Sequence, residues 1–222
     1  MKRLACVYTA GGDMLSGMFE KMWPEALGED IRFNHIKDSN IMADIVEKTY
    51  ITERIADWLE LMFSAAALCD VDGVVCCCSS VGDEADKFIK AHPEVNMMRI
   101  DYPMAKYAAD NFDSVAVMAT LFTTVQPSCD LVKRLAEAQG KEISVTDCVI
   151  GEARKIQMKD PEGAARIAAE AARKLVEEKG VQCILLAQAS MTGFTPAIKE
   201  ACPGLVVLNS PETFAANIRN FI

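Results

Sequence analysis

Short runs rich in Val, Ile and Leu alternate along the whole chain with segments whose apolar residues recur every three to four positions. The first pattern suits strands buried on both faces, and the second suits amphipathic helices. Strands are predicted at Leu4–Tyr8, Ile31–Ile36, Gly73–Cys78, Asn96–Ile100, Val115–Ala119, Ile143–Val149, Cys183–Ala187 and Gly204–Leu208. Between them, Met14, Leu15, Met18, Phe19, Met22 and Trp23 form one helical stripe. Ile55, Trp58, Leu59, Met62 and Phe63 form another, and both are read as core faces. Asp160-Pro161-Glu162 supplies an N-cap, a proline at the first helical position and a first-turn carboxylate, and Gly180 stops that helix. His92-Pro93 closes the helix that opens after Val81-Gly82, and 211–222 reads as a final helix. Strands alternating with helices in this way predict a largely parallel sheet.

The pattern also repeats. Leu4–Tyr8 ends at Thr9 and Val115–Ala119 ends at Thr120; Cys78 follows Thr9 at nearly the interval at which Gln188 follows Thr120. The expected fold is therefore α/β, with two pseudo-symmetric Rossmann-like or flavodoxin-like lobes, parallel sheets and a cleft between them. The first lobe is placed at residues 1–104 with the C-terminal helix 211–222, and the second at 105–210. No linker rich in Pro, Gly or Ser separates them.

Composition narrows the function. The 222 residues carry 51% hydrophobic and 25% charged positions with a net charge of −9, which argues against nucleic acid or a membrane surface as partner. A small carboxylate is still admissible, because local N–H groups outweigh distant surface charge. No apolar stretch has the length of a signal-peptide core or a membrane span, so a cytoplasmic location is expected. In that compartment nine cysteines read as small buried residues plus one reactive thiol. Cys76, Cys77 and Cys78 alternate faces on a strand and only His35 and His92 are present, so no metal site is expected. The apolar helix faces would suit a homodimer as well as a core.

Chemistry is expected at the carboxyl ends of the strands, where parallel α/β sheets bind ligands and unpaired helix N–H groups collect. Thr9-Ala10-Gly11-Gly12, Ser79-Ser80-Val81-Gly82 and Thr120-Leu121-Phe122-Thr123-Thr124 each bring hydroxyls to such a place. Cys78 is the thiol there. Bringing an ordinary thiol from a pKa of roughly 8.5 down to ~7 takes about 2 kcal/mol, the upper end of what a helix terminus supplies. Asp38 follows the second strand. It reads either as a solvated carboxylate or as a second acid–base group. His35 within its strand reads as a satisfied histidine.

Val74-Val75-Cys76-Cys77-Cys78-Ser79-Ser80, Val117-Met118-Ala119-Thr120 with Thr123-Thr124, and Leu186-Ala187-Gln188-Ala189-Ser190-Met191 resemble the aspartate/glutamate/hydantoin racemase superfamily. His35-Ile36-Lys37-Asp38-Ser39 and Arg99-Ile100-Asp101-Tyr102-Pro103-Met104 extend the resemblance over most of the chain. It implies a cofactor-independent isomerase with no metal, in which two cysteines face the substrate carbon and hydroxyls and amides hold a carboxylate. Carried onto this chain, Cys78 is the catalytic thiol, and Thr9, Ser79, Ser80, Thr120, Thr123, Thr124, Gln188 and Ser190 bind substrate. Gln188 stands where members have the second cysteine, and an amide has no usable acid–base pKa. Asp38, Glu152 or a water would then be the second acid or base. The alternatives are a single-cysteine decarboxylase, a cis–trans isomerase of a substituted malonate or unsaturated diacid, and a non-catalytic carboxylate binder.

Overall fold

Every predicted strand is present, and every one runs parallel to its neighbours in the computed structural model, which describes residues 1–222. The chain divides into two compact units, Met1–Ile100 with Phe214–Ile222, and Asp101–Thr213.

The first unit runs β1 (Lys2–Tyr8), α1 (Gly12–Leu27), β2 (Ile31–Lys37), α2 (Asn40–Lys48), α3 (Glu53–Ala67), β3 (Gly73–Cys76), α4 (Gly82–Ala91) and β4 (Met97–Arg99). The second runs α5 (Tyr102–Asn111), β5 (Ser114–Ala119), α6 (Phe122–Glu137), β6 (Ser144–Val149), α7 (Gly151–Ile156), α8 (Pro161–Lys179), β7 (Cys183–Leu186), α9 (Thr195–Ala201) and β8 (Val206–Asn209). The last helix, α10 (Ser210–Phe221), begins in the second unit and ends in the first.

The two sheets have the same strand order, β2-β1-β3-β4 and β6-β5-β7-β8. The internal repeat is thus topological as well as sequential, and the registers agree residue by residue. Val7 pairs with Cys76 where Met118 pairs with Leu186. One step further, Cys77 N donates to Val7 O and Ala187 N to Met118 O, both at 2.9 Å. In each sheet the chain leaves the first strand toward one edge and returns to pair on its other side. A switch point therefore lies between β1 and β3, and another between β5 and β7, the places where open α/β sheets leave a crevice at their carboxyl ends.

Hydrophobic alternation decides which helix covers which face. In the second sheet Ala116, Met118, Ile184 and Leu186 pack with Ala164, Ala168 and Ala172 of α8. Val115, Val117, Cys183 and Leu185 point the other way, against Met104 and Ala108 of α5 and Val125 and Val132 of α6. In the first unit Phe19 and Trp23 of α1 stack with centroids 4.3 Å apart, and Phe214 of α10 lies 4.6 Å from Trp23. Gly73 admits the end of α10, since a Cβ there would fall 2.7 Å from the Phe221 ring. Asn96 Nδ2 fastens the same end by donating to Phe221 O at 2.9 Å.

The helical stripes need two corrections. Leu15, Phe19 and Trp23 are buried, but Met14 is 59% exposed because it falls a turn-fraction off that face. Trp58 is 48% exposed; Ile55, Leu59, Met62 and Phe63 form the buried face of α3 without it. The α8 signals act as read: Asp160 Oδ1 accepts from Gly163 N at 2.8 Å, and Gly180 ends the helix at φ 63°. No helix is long and apolar enough to cross a membrane.

Candidate active site

Cys78 lies just past the β3 ladder, which stops at Cys76 rather than running through Cys78. Its backbone is still extended (φ −136°, ψ 108°), and it opens a 3-10 turn, Ser79–Val81, that runs directly into α4. Val81 N donates to Cys78 O at 3.3 Å, which closes the turn. The turn forms here because Ser79 and Ser80 follow an apolar run, and small polar residues favour a turn over continued strand. Ser79 and Ser80 are buried, whereas Cys78 is half-buried; Cys76 and Cys77 on either face of the strand are buried. All nine cysteines are free thiols.

Across the switch point sits Thr9, the residue after β1. It is fully buried, and its Oγ1 has no hydrogen-bond partner within the protein. A buried hydroxyl without a partner costs stability; Trp23 Nε1, Ser128 Oγ and Ser210 Oγ share that state, but only Thr9 lies at this switch point. Asp38, next to the end of β2, has both oxygens engaged: Oδ1 accepts from Asn40 N and Oδ2 from Trp58 Nε1, each at 2.9 Å. That bond accounts for the exposed position of the Trp58 ring.

The equivalent place in the second unit is built the same way. Gln188 is extended (φ −123°, ψ 132°) and opens a 3-10 turn, Ala189–Phe194, closed by Met191 N donating to Gln188 O at 2.9 Å. Gln188 Oε1 accepts from Thr120 N at 2.6 Å and from Thr120 Oγ1 at 2.9 Å. The amide oxygen is thereby committed to the neighbouring strand end, which leaves the NH2 as the donor group of that amide. Thr124 is buried in the first turn of α6, and Thr123 is half-buried beside it. Ser190 is half-buried and its carbonyl accepts from Gln157 Nε2 at 2.8 Å. Glu152 at the start of α7 is exposed and pairs with Lys155 at 3.0 Å.

The structure thus brings Thr9, Cys78, Ser79 and Ser80 to the switch point of one sheet and Thr120 and Gln188 to that of the other. Asp38 and Glu152 are held at neighbouring strand ends by partners of their own.

Sequence reasoning missed a polar cluster inside the first sheet. Cys6 and His35 are Cα partners on β1 and β2. Tyr8 Oη lies 3.1 Å from His35 Nδ1, and His35 Nε2 lies 2.9 Å from Glu20 Oε1. Burial opposes ionisation of the Cys6 thiol, but hydrogen bonds from Cys77, His35 and Tyr8, with the charge on His35, outweigh it and bring the thiol down to about 6. Hydrogen bonding to Cys6 first, and to Glu20, raises His35 above its usual range, and burial pushes Cys77 up. Cys6 is 0% exposed, so this pair braces the sheet and does not meet a substrate. Only the register could have revealed it. His35 is the satisfied strand histidine that its context suggested.

A sequence model of the Asp/Glu/hydantoin racemase family matches residues 10–217. Among solved structures, a protein of Yersinia pestis described as a "putative Asp/Glu Racemase" superposes with a TM-score of 0.73 at 16% identity, covering 100% of this chain and 99% of that one. Glutamate racemase isoform RacE1 of Bacillus anthracis gives 0.70 at 13% identity, covering 99% and 80%. Allantoin racemase of Pseudomonas fluorescens gives 0.64 at 13% identity, covering 98% and 91%. A search of curated proteins found no sequence match. At these identities the structures attest the fold alone, whereas the family match spans nearly the whole sequence: the chain belongs to the Asp/Glu/hydantoin racemase family.

Proposed function

We propose that this protein is a cofactor-independent isomerase that moves a proton at a carbon next to a carboxylate, with Cys78 as its single acid–base thiol. The observation that carries the proposal is the residue-by-residue equivalence of Cys78 and Gln188 at the two switch points, where only one of the pair can exchange a proton. Cys78 as thiolate removes the proton. Charge then develops on the substrate carboxylate as an enolate-like oxygen pair, and preorganised donors lower the energy of that state. The backbone N–H groups of Ser79 and Ser80 and the hydroxyls of Thr9, Ser79 and Ser80 are the proposed donors beside Cys78. At the equivalent strand ends of the second unit, Thr123, Thr124, Ser190 and the NH2 of Gln188 are the proposed carboxylate-binding groups, and Thr120 is proposed to hold the Gln188 amide in place.

A lone thiol has a stereochemical consequence. The proton it removes returns from the same face unless a water, Asp38 or Glu152 delivers one from the other. Exchange with solvent should therefore outrun inversion. Candidate amino acids and dicarboxylates are incubated in heavy water, with deuterium uptake followed by NMR and inversion by polarimetry. Uptake faster than inversion supports one-thiol proton transfer; equal rates point to a second efficient acid.

Gln188 favours a second reading, in which the same thiol reprotonates a carbanion after decarboxylation of a substituted malonate or adds to the double bond of an unsaturated diacid. Neither step needs a second thiol. Carbon dioxide release or loss of ultraviolet absorbance separates them from racemisation. Tight binding of a carboxylate with no Cys78-dependent turnover would instead identify a non-catalytic binder.

A further inference from the structure

One buried charge near Cys78 has no part in the chemistry just described. Arg99 ends β4, is 1% exposed, and donates from Nη1 to Asp86 Oδ2 at 2.8 Å. Its guanidinium lies on Gly82, the first residue of α4. A Cβ built on Gly82 would fall 2.6 Å from Nη1 and closer still to Cζ and Nη2. This is the wrong end of a helix for a cation, because the N-terminus already carries partial positive charge. Asp86, in the second turn of the same helix, neutralises the guanidinium.

Two short links tie that seat to Cys78. Arg99 and Cys76 are Cα partners across β3 and β4, so they share a face of the sheet, and Cys78 follows Cys76 with the same parity. From the other side, the Ser79–Val81 turn joins Cys78 to Gly82, whose N–H donates to Ser79 O. At a rise of roughly 2 Å per residue, the turn keeps the seat within about 10 Å of Cys78, a range over which a buried charge is poorly screened.

We propose that Arg99 is a positioning residue for Cys78: its guanidinium clamps Gly82, fixes the turn, and adds to the positive field that favours the thiolate. This rests on Cys78 being the acid–base group. The titratable groups on the strand and helix that the turn joins are Cys76 on β3 and Asp83, Glu84 and Asp86 on α4, and the buried Asp101 follows Arg99 by two residues in the chain. The carboxylates disfavour a thiolate, and Arg99 offsets them.

The test is the pH profile of iodoacetamide labelling at the Cys78 peptide, read by mass spectrometry in the folded protein from pH 5 to 10. Arg99→Met should raise the apparent pKa of Cys78 by about one unit, a roughly tenfold loss of labelling rate near neutral pH. Arg99→Lys keeps the charge without the planar seat and should fall between Arg99→Met and wild type. Asp86→Asn removes a negative charge and should shift the profile the opposite way, downward. A merely structural ion pair would move Arg99→Met and Asp86→Asn in the same direction, and that result overturns the inference. If Arg99→Met does not fold, the signs of Arg99→Lys and Asp86→Asn decide alone. The labelling needs no turnover. Unchanged profiles sink the role of Arg99 whatever Cys78 does, and a fully active Cys78→Ala sinks the proposed function whatever the profiles show.

Discussion

Gly82→Ala is the smallest change that tests whether the turn carrying Cys78 is held from beneath. The added methyl would sit 2.6 Å from Arg99 Nη1 and nearer to Cζ and Nη2, where contacts of 3.4 Å or more are ordinary. Arg99 cannot swing into solvent, because it is 1% exposed and tied to Asp86 at 2.8 Å. Either the pair opens or the turn lifts. Opening this pair leaves a buried guanidinium uncompensated while Asp86, 26% exposed, rehydrates, so the cost sits near the low end of about 3–5 kcal/mol, and the higher helix propensity of alanine returns at most about 1. The net loss should be about 2 kcal/mol. Urea denaturation followed by circular dichroism measures it as a lower midpoint at unchanged slope. Combining Gly82→Ala with Arg99→Met, whose unbranched and uncharged end leaves room for the methyl, should cost less than the two changes summed, with a coupling of about 1–3 kcal/mol. A Gly82→Ala protein within about 0.5 kcal/mol of wild type, or strict additivity in the double variant, would show that the guanidinium does not brace the turn.

Gln188→Ala strips Thr120 N and Thr120 Oγ1 of their acceptor at a 3% exposed residue, so stability should fall by about 1–3 kcal/mol in the same assay. Gln188→Glu keeps an acceptor for Thr120 but loses the NH2 donors; it should recover most of that stability while leaving turnover impaired. The Cys6–His35 pair sets a pH dependence. Cys6 is depressed from 9.0 to about 6, so its contribution is complete above 9 and is lost as pH falls through about 6. His35 is raised, so its contribution is present below 6.5 and is lost as pH rises through its elevated folded value. The stability gap between wild type and Cys6→Ser should therefore widen from pH 5 to pH 8, and a gap that does not change over that range contradicts the pairing.

The inner strands β1, β3, β5 and β7 were legible because parallel strands buried on both faces leave near-continuous apolar runs, whereas the edge strands β2 and β6 are half-exposed and interrupted by polar residues; the duplication was legible because Thr9 and Thr120 each close an inner run. The end of β3 was overrun by two residues. Apolar composition continues through Cys78, but the ladder to β1 and β4 does not, and a run of small buried residues carries no mark of where pairing stops. Register was hidden for the same reason. Cys6 and His35 are far apart in the chain, and only the β1–β2 alignment makes them neighbours. Arg99 was visible only as part of a motif, since nothing local says that a strand-end arginine will lie under a helix glycine. Asp38 looked solvated, yet a tryptophan from α3 reaches it, which also explains why Trp58 departs from its helical stripe. Strand-end position was therefore readable from pattern, while the partners that fix each side chain there depend on contacts between distant segments.

The central claim is that a single thiol carries the proton. The most direct measurement is the rate of deuterium exchange at the carbon next to the carboxylate of the best substrate, compared among wild type, Cys78→Ala and Cys78→Ser at equal concentration of folded protein. A positioned general base contributes about 10²–10⁴-fold, so both variants should lose exchange by at least about a hundredfold while still binding the acid. Exchange in Cys78→Ala within a few-fold of wild type would contradict it and place the proton transfer elsewhere in the molecule.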